Sequence, residues 1–333
     1  MREEDFVTAK EIVVAQGTIS ETIRRTPVNL STSLEAHFGQ PVYLKLEHTQ
    51  VTGSFKLRGA TNAIARLTDD QKAKGVVGVS TGNHGRGLAY AAKAAGVRCI
   101  ICMSTLVPQA KIDGIKSHGA EVRIVGRSQD EAQEEVDRLV SEDGMTMIPP
   151  FDHPDIIAGQ GTLGLEVLEQ VPEMATLLVP LSGGGLISGV AAIVKAKRPE
   201  VRVIGVSMER GAAMYECLKA GKPILVEELP TLADSLGGGI GLGNRLTFTM
   251  TRDLVDDIVL VSETEIAGAI RHIYWQERQI VEGSGSVGVA ALLTGKIRSS
   301  GPVVAIMSGG NIDMKQHHRI ISGEDVDVTK EAA

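Results

Sequence analysis

Lys56 stands in a segment suited to amine chemistry. It follows Phe55 within residues 52–60, after a β-like run that ends near Leu46 and at the start of a helical segment. The positive end of a helix dipole and removal from water both lower the pKa of an amine, as a Schiff-base lysine requires. The segment therefore indicates a Schiff-base lysine, and a solvated lysine in a first helical turn is the alternative interpretation.

Residues 80–87, Ser-Thr-Gly-Asn-His-Gly-Arg-Gly, form a second loop between a strand and a helix. Small hydroxyls, glycines and a helix N-terminus offer backbone N–H groups to an anion such as a carboxylate. The amide of Asn83 is able to bond a ring hydroxyl. An ordinary capped turn is the alternative, although three glycines between residues 82 and 87 exceed what a cap needs.

Three consecutive glycines, residues 183–185, form a third loop before a helix that begins near Leu186. Such glycines let main-chain N–H groups surround a phosphate at the helix N-terminus. The loop is also a near match to the dinucleotide fingerprint, with Ser188 in place of the third glycine and an acid, Glu209, at about the expected distance. NAD binding therefore stays open as an alternative, whereas the lack of a Gly-Lys-Ser/Thr sequence disfavours a nucleoside triphosphate.

Residues 308–311, Ser-Gly-Gly-Asn, form a fourth loop after a β-like run, and residues 282–286 are a further small-residue helix start. Each loop alone is weak evidence, because a Ser-Gly-Gly-Asn sequence is often only a turn. Four loops of this kind at strand ends argue together for a polar, phosphorylated ligand.

Short β-like runs alternate with helical segments along most of the chain. This alternation predicts a parallel sheet covered by helices on both faces, with ligands beyond the carboxyl ends of its strands. Strands are predicted at residues 42–46, 76–80, 97–103, 121–125, 177–181, 201–206, 258–261 and 303–307. Helices are predicted between most of them, for example at residues 88–95, 128–141 and 263–276.

The length of 333 residues suggests two domains. Residues 75–147 form a compact β/α block, and the prolines at positions 149 and 150 suggest a crossing between domains. We therefore predict a discontinuous large domain of residues 1–74 and 148–322, a small domain of residues 75–147, and a tail of residues 323–333.

The composition argues against several classes of function. Hydrophobic residues make up 43% and charged residues 23% of the chain, as in a globular protein. Acids outnumber bases by 41 to 34, and this balance argues against nucleic-acid binding and against a basic membrane-surface role. The charged N-terminus and the interrupted apolar stretches predict neither a signal peptide nor a membrane span.

The cysteines are expected to be buried thiols in a reducing cytoplasm. Cys99 and Cys102 form a C-x-x-C sequence inside a β-like run. Residues three apart in a strand face opposite sides, so these two cannot chelate one ion together.

The four loops together resemble a known family. Residues 54–60, 80–84, 158–162, 182–185 and 308–311 occur in the order found in pyridoxal-phosphate enzymes of fold type II, in the threonine dehydratase and serine racemase branch. The resemblance covers residues 10–315 and implies an α/β fold like that of tryptophan synthase β, with two domains of parallel sheets flanked by helices. Residues 232–240 look most like those of dehydratases of hydroxyectoine utilisation.

The resemblance implies a set of cofactor-binding residues. Lys56 matches the lysine that carries pyridoxal 5′-phosphate and moves the substrate α-proton, Phe55 the residue against the cofactor ring, and Asn83 the amide that bonds its O3′. Ser308 matches the hydroxyl that meets the pyridine nitrogen, and a neutral group there weakens the electron sink and fits early departure of a β-leaving group. The phosphate would be held by the backbone of Gly183, Gly184, Gly185 and Leu186.

The resemblance also implies a substrate site. Ser80, Thr81 and the following amides of Gly82 and His84 would hold the substrate carboxylate. Thr81 stands where serine racemases carry the serine that works as the second acid–base group, and its hydroxyl could still serve, although its methyl group crowds that face.

Two further departures from the family bear on metal and substrate. Metal-binding members carry acids where this chain has Ser207 and Ala213, so no divalent-cation site is expected. Relatives usually have a neutral glutamine at the position of Arg86. Its guanidinium could pair a second substrate carboxylate, and an exposed, solubilising arginine is the equally weighted alternative.

These observations predict a cytoplasmic lyase that converts a β-hydroxy amino acid to a 2-oxo acid and ammonia. Threonine or serine is the family default, and 3-hydroxyaspartate is the choice that Arg86 motivates. An amino-acid racemase, an NAD-dependent oxidoreductase and a non-catalytic binding protein remain alternatives. A homodimer is the family expectation.

Overall fold

A computed structural model of the protein describes residues 6–80, 82–105, 107, 109–127 and 129–328. All eight predicted strands are confirmed, with ends shifted by at most two residues. Two short strands were missed, and both lie at sheet edges, where two or three residues give no periodic signal.

The larger sheet has six strands in the order β1-β2-β10-β7-β8-β9. Only β1 runs antiparallel to its neighbour, and the other adjacent strands are parallel. Its strands are β1 (Val28–Leu30), β2 (Val42–Lys45), β7 (Thr176–Pro180), β8 (Arg202–Met208), β9 (Asp257–Val261) and β10 (Val303–Ile306).

The smaller sheet has four parallel strands in the order β5-β4-β3-β6. Its strands are β3 (Val76–Val79), β4 (Cys99–Met103), β5 (Glu121–Ile124) and β6 (Thr146–Met147). All four strands of this sheet therefore come from one continuous stretch of the chain, residues 76–147.

Helices connect most of the strands and cover both sheets, as the alternation predicts. In chain order they are α1 (Ala9–Ile19), α2 (Thr32–Phe38), α3 (Lys56–Ala65), α4 (Asp69–Lys74), α5 (Asn83–Ala94), α6 (Gln109–Ser117), α7 (Gln129–Asp143), α8 (Pro154–Gln170), α9 (Gly185–Lys197), α10 (Ala213–Ala220), α11 (Leu246–Leu254), α12 (Glu263–His272), α13 (Gly283–Leu293) and α14 (Met314–Ile321). Within the described residues no helix is long and apolar enough to cross a membrane.

Each sheet separates two apolar clusters. In β7, Leu177 faces a cluster built with α8 and α9, whereas the next residue, Leu178, faces a cluster built with α12 and α13. In β4, Cys99 and Cys102 likewise belong to different clusters, and both are buried free thiols, as predicted.

The predicted domain boundaries at residues 75 and 147 stay a prediction. The strands divide at those positions, but α3 precedes residue 75 and packs its apolar side chains, such as Leu57 and Ile64, into a cluster of the smaller sheet. In the predicted tail, Val326 is buried against the larger sheet's helices, and residues 329–333 lie outside the described part of the chain.

Candidate active site

A cavity of about 390 Å³ lies where loops from both sheets meet. This volume falls within the range of about 300–1,000 Å³ typical of small-molecule sites. The sequence-predicted residues that line it are Phe55, Lys56, Ser80, Gly82, Asn83, His84, Gly183, Gly184, Gly185, Leu186 and Ser308. Arg86 is not among the lining residues, and Thr81 lies outside the described residues.

Lys56 is the first residue of α3, and its ammonium-bearing end reaches into the cavity. The Nζ atom donates a hydrogen bond to the carbonyl of Pro150 at 2.9 Å and lies 5.4 Å from the centroid of the Phe55 ring. Burial lowers the pKa of Lys56 to about 8, against the opposing effect of the Glu282 carboxylate. A large fraction of this amine is therefore uncharged at mildly alkaline pH, which the sequence prediction of a reactive lysine requires.

A buried ionic cluster anchors the start of α3. The Arg58 guanidinium binds Glu47 at 2.7 Å and Glu166 at 2.8 Å, and Lys45 binds the other oxygen of Glu166 at 2.5 Å. Burial alone would raise the pKa of Glu47, but the adjacent Arg58 outweighs it and holds the pKa below its usual value. The cluster fixes the helix turn that carries Lys56.

The glycine loop packs too closely for any side chain. A Cβ atom at Gly183 or Gly185 would lie 2.4 or 2.9 Å from Phe151, and Gly184 has a φ of +88°. Gly184 is the N-cap of α9, so the first-turn N–H groups of a 13-residue helix open at the cavity without intrahelical acceptors. This is the arrangement that binds a phosphate group.

The loop before α5 presents a second helix N-terminus to the cavity. The Ser80 hydroxyl accepts hydrogen bonds from the N–H groups of Gly82 at 3.3 Å and Gly85 at 3.0 Å, which holds the loop against the helix. The Nε2 atom of His84 lies 2.9 Å from the carbonyl of Ile148, which only accepts, so Nε2 carries the proton. Burial, with the charge of Lys56, lowers the pKa of His84 to about 4, so the ring is neutral at neutral pH.

Glu282 is a lining residue that the sequence predictions missed. Its carboxylate accepts from the Asn83 amide at 2.7 Å and from the backbone N–H of Asn311 at 3.1 Å. Burial, reinforced by Asp234, raises the pKa of Glu282 to about 7. The only signal in the sequence was that Glu282 is the first residue of the small-residue helix start at residues 282–286.

Serine hydroxyls near the end of β10 lack good partners. The Ser308 Oγ atom lies 3.5 Å from the carbonyl of Ser284, longer than the roughly 2.5–3.0 Å of an ordinary O–H···O bond. The Ser284 and Ser54 hydroxyls are buried and have no hydrogen-bond partner among the described residues. Polar groups of this kind fit a ligand that carries hydrogen-bonding atoms.

The site residues fit pyridoxal phosphate on these observations. The glycine-lined start of α9 suits its phosphate, the buried amine of Lys56 suits its aldehyde, and the poorly bonded hydroxyl of Ser308 suits its ring nitrogen. Phe55 lines the same cavity with an apolar ring.

The remaining charges of the cavity are mostly acidic. Glu228 lines the cavity with an exposed carboxylate that has no hydrogen-bond or ion-pair partner among the described residues. Asp234 is paired with Lys111 at 3.1 Å. The Arg86 guanidinium instead packs over α6, where a Cβ atom at Gly114 would lie 2.3 Å from its Nη2 atom.

The described residues contain no cluster of three or more His, Cys, Asp or Glu side chains able to hold a metal ion. Ser207 and Ala213, the two residues on which the expectation about a cation site rested, are both buried.

Comparisons with known proteins point to one family. Residues 19–309 match the family described as Pyridoxal-phosphate dependent enzyme. The chain is 58% identical over 324 residues to a Sinorhizobium fredii protein whose threonine dehydratase name is provisional, covering 97% of this chain and 98% of that protein. It is 42% identical over 318 residues to the L-threonine ammonia-lyase of Thermotoga maritima, covering 95% of this chain and 79% of that protein.

Solved structures agree with this match. The structure of maize serine racemase superposes with a TM-score of 0.89 at 37% sequence identity, covering 95% of this chain and 97% of the racemase. The relatives therefore include proteins named for elimination and proteins named for racemisation.

Proposed function

The chain belongs to the pyridoxal-phosphate-dependent enzymes of fold type II, and we propose that it deaminates a β-hydroxy amino acid to a 2-oxo acid. The β-hydroxyl group would leave as water, and hydrolysis of the resulting enamine would take up one water and release ammonia and the 2-oxo acid. The observation that carries this proposal is the buried Lys56 amine, whose pKa falls to about 8, in one cavity with a glycine-lined helix N-terminus. This family membership replaces the NAD-dependent alternative, and we propose that the glycine loop binds the phosphate of pyridoxal phosphate instead.

The residues proposed to hold the cofactor surround the cavity. Lys56 would bind it covalently, Phe55 would lie against its ring, and Asn83 would donate a hydrogen bond to its O3′ atom. Ser308 would meet its ring nitrogen. The backbone N–H groups at the start of α9 would bind its phosphate, from Gly183, Gly184, Gly185 and Leu186.

Pyridoxal phosphate supplies an electron-withdrawing group that makes the α-hydrogen of an attached amino acid acidic. Lys56 Nζ, in its uncharged form, would be the base that takes this proton and, once protonated, the acid that can return it. Neutral His84 places no charge beside the substrate carboxylate, which the start of α5 binds through backbone N–H groups. The carbonyl of Pro150 holds Nζ in place at 2.9 Å.

We further propose four substrate candidates and one physiological setting. Threonine and serine follow from the names of the relatives. The third candidate, 3-hydroxyaspartate, follows from Arg86 if its side chain turns toward the cavity. The likeness of residues 232–240 to hydroxyectoine-utilisation dehydratases supports a role in hydroxyectoine catabolism. Hydroxyectoine contains the carbon skeleton of a β-hydroxy amino acid, 2,4-diamino-3-hydroxybutanoate. This amino acid is therefore the fourth candidate.

The experiment is a kcat/KM comparison of 2-oxo acid formation from these four compounds by the purified holoenzyme. Formation of a 2-oxo acid from at least one of them supports the proposal, and the ranking identifies the substrate. No 2-oxo acid from any of the four, by a protein that has bound pyridoxal phosphate, contradicts it.

Racemisation is a second candidate, favoured by the likeness to serine racemase structures. It needs a second acid–base group on the face opposite Lys56, and Thr81 is the residue that the resemblance offers for it. Chiral analysis of recovered serine decides the matter. We expect the recovered serine to keep its configuration in the wild-type protein and expect Thr81→Ser to increase any inversion.

We propose that the enzyme acts in the cytoplasm as a homodimer, on a free amino acid and on neither nucleic acid nor membrane. Light scattering of the purified protein tests the oligomeric state. A mass of two chains is expected, and a monomer would contradict the expectation.

A further inference from the structure

Glu282 is a buried carboxylate to which the proposed reaction gives no role. It is the N-cap of α13, yet its side chain makes no hydrogen bond to that helix. Only 4% of the residue is exposed. The short side chains of Ser, Thr, Asp and Asn are those that cap a helix in this way, whereas the longer Glu282 carboxylate is directed to other partners.

The carboxylate belongs to a closed ring of hydrogen bonds with two asparagines. The Asn83 Nδ2 atom donates to Glu282 Oε1 at 2.7 Å, and the Asn311 backbone N–H donates to Oε2 at 3.1 Å. The Asn311 Nδ2 atom closes the ring by donating to Asn83 Oδ1 at 2.6 Å, and it also donates to the carbonyl of Thr52 at 2.9 Å. Three chain segments that are far apart in sequence therefore meet at Asn83.

The ring fixes which end of the Asn83 amide faces which neighbour. An ionised carboxylate only accepts hydrogen bonds, so it selects the NH₂ end of Asn83, and the Asn311 NH₂ group selects the oxygen end. One hydrogen of Asn83 Nδ2 is thereby used. The closest other acceptor among the described residues is the Ser235 hydroxyl at 3.5 Å, so the second hydrogen remains available in the cavity.

We propose that Glu282 is a positioning residue that keeps the Asn83 amide turned so that its second N–H is offered to the cofactor ring oxygen. This inference rests on the proposed function only in assuming that the cavity holds pyridoxal phosphate. A protonated Glu282 can donate as well as accept, so it no longer selects one end of the amide. The ionisation of Glu282 then controls how well Asn83 donates its hydrogen bond to the cofactor.

The charges around Glu282 influence the pH at which it ionises. Lys56 and Arg86 favour its ionised form, whereas Asp234 disfavours it. Burial is the largest influence and raises its pKa to about 7. The charged side chains of the cavities on its two sides are Lys56, Lys111, Glu228, Asp234, Asp313, Lys315 and Arg319.

The test is Glu282→Gln, read out by cofactor affinity and by the absorption spectrum of the bound cofactor across pH. In the wild-type protein we expect tighter binding and a spectral change as pH rises through about 7. Glutamine can present either its NH₂ or its oxygen to Asn83, so the variant should bind pyridoxal phosphate about tenfold more weakly above pH 7. It should also lose the spectral change near pH 7.

A second variant and a control make the test specific. Asn311→Asp replaces the donor to Asn83 Oδ1 by an acceptor while Glu282 is kept, and it should give the same weakened binding. Glu265→Gln removes a carboxylate that pairs with Lys296 at the start of α12, outside the cavity, and should bind the cofactor as the wild type does. Wild-type affinity and an unchanged spectral profile in Glu282→Gln would overturn the inference. Ammonia release by the wild-type protein is measured separately, so failure of the proposed function would be distinguishable.

Discussion

At the scale of single residues, Lys56 combines deep burial with chemistry that needs an uncharged amine. Its pKa falls from the ordinary 10.5 to about 8 because burial disfavours the charged form. The nearby carboxylate of Glu282 opposes this shift without cancelling it. The sequence placed Lys56 at a helix start correctly, but the extent of its burial depends on Pro150 and the glycine loop, which come from distant parts of the chain.

The first prediction concerns the pH dependence of cofactor capture by Lys56. The rate of covalent binding of pyridoxal phosphate to the apo-protein should rise with pH and level off above about 8, because the amine is then mostly uncharged. Stopped-flow absorbance measures this rate, with Nα-acetyl-lysine as the reference amine. A rate that keeps rising up to the pKa of an ordinary lysine would contradict the lowered pKa.

The second prediction concerns the charge that the cavity prefers in a substrate side chain. Glu228 is the lining carboxylate without a partner among the described residues, so it should favour an ammonium group and repel a second carboxylate. Glu228→Gln should shift the kcat/KM ratio of 2,4-diamino-3-hydroxybutanoate to 3-hydroxyaspartate by roughly tenfold toward the dicarboxylate. Threonine, which carries no side-chain charge, is the internal control.

Arg86→Gln is the matched comparison for this prediction. The guanidinium lies against α6 rather than in the cavity lining, so we expect the same ratio to change less than about twofold. A selective loss of activity on 3-hydroxyaspartate in Arg86→Gln would instead support the carboxylate clamp suggested by the sequence. An unchanged kcat/KM ratio in Glu228→Gln would show that Glu228 does not contribute to substrate specificity.

At the scale of elements, helix α3 carries the reactive lysine and also packs in the hydrophobic core. Its first residue is Lys56, its apolar face packs in a cluster of the smaller sheet, and Arg58 joins it to buried acids beside the larger sheet. The alternation of β-like and helical segments was enough to predict the eight longer strands and the loops at their ends, but not the short edge strands β1 and β6. The ionic cluster was not predictable, because Lys45, Glu47 and Glu166 meet Arg58 only after both sheets have formed.

The third prediction is that Arg58→Met destabilises the protein strongly. The substitution leaves the Glu47 carboxylate buried without its main partner, which costs about 3–5 kcal/mol of unfolding free energy. Urea unfolding measures the loss. The control is Arg25→Met, which breaks an exposed pair with Glu169 and should cost no more than about 1 kcal/mol. Equal losses in the two variants would show that burial does not distinguish the two ion pairs.

At the scale of the whole molecule, the cavity exists only where both sheets contribute loops. The segment before α5 follows β3 of the smaller sheet, whereas the glycine loop and Ser308 follow β7 and β10 of the larger sheet. The rule that ligands bind beyond the carboxyl ends of parallel strands predicted these loops as the site. It did not predict Glu282 or Glu228, because neither follows a strand directly and neither has a motif of its own.

The whole molecule is proposed to build one cavity that performs elimination with Lys56 as the base. The most direct test is ammonia release from threonine, serine, 3-hydroxyaspartate and 2,4-diamino-3-hydroxybutanoate, with pyridoxal phosphate supplied, by the wild-type protein and by Lys56→Ala. We predict equal amounts of ammonia and 2-oxo acid from the wild type and a rate at least about a thousandfold lower from the folded variant. Ammonia release by Lys56→Ala at the wild-type rate, or none by the cofactor-loaded wild type on any of these compounds, would contradict the account.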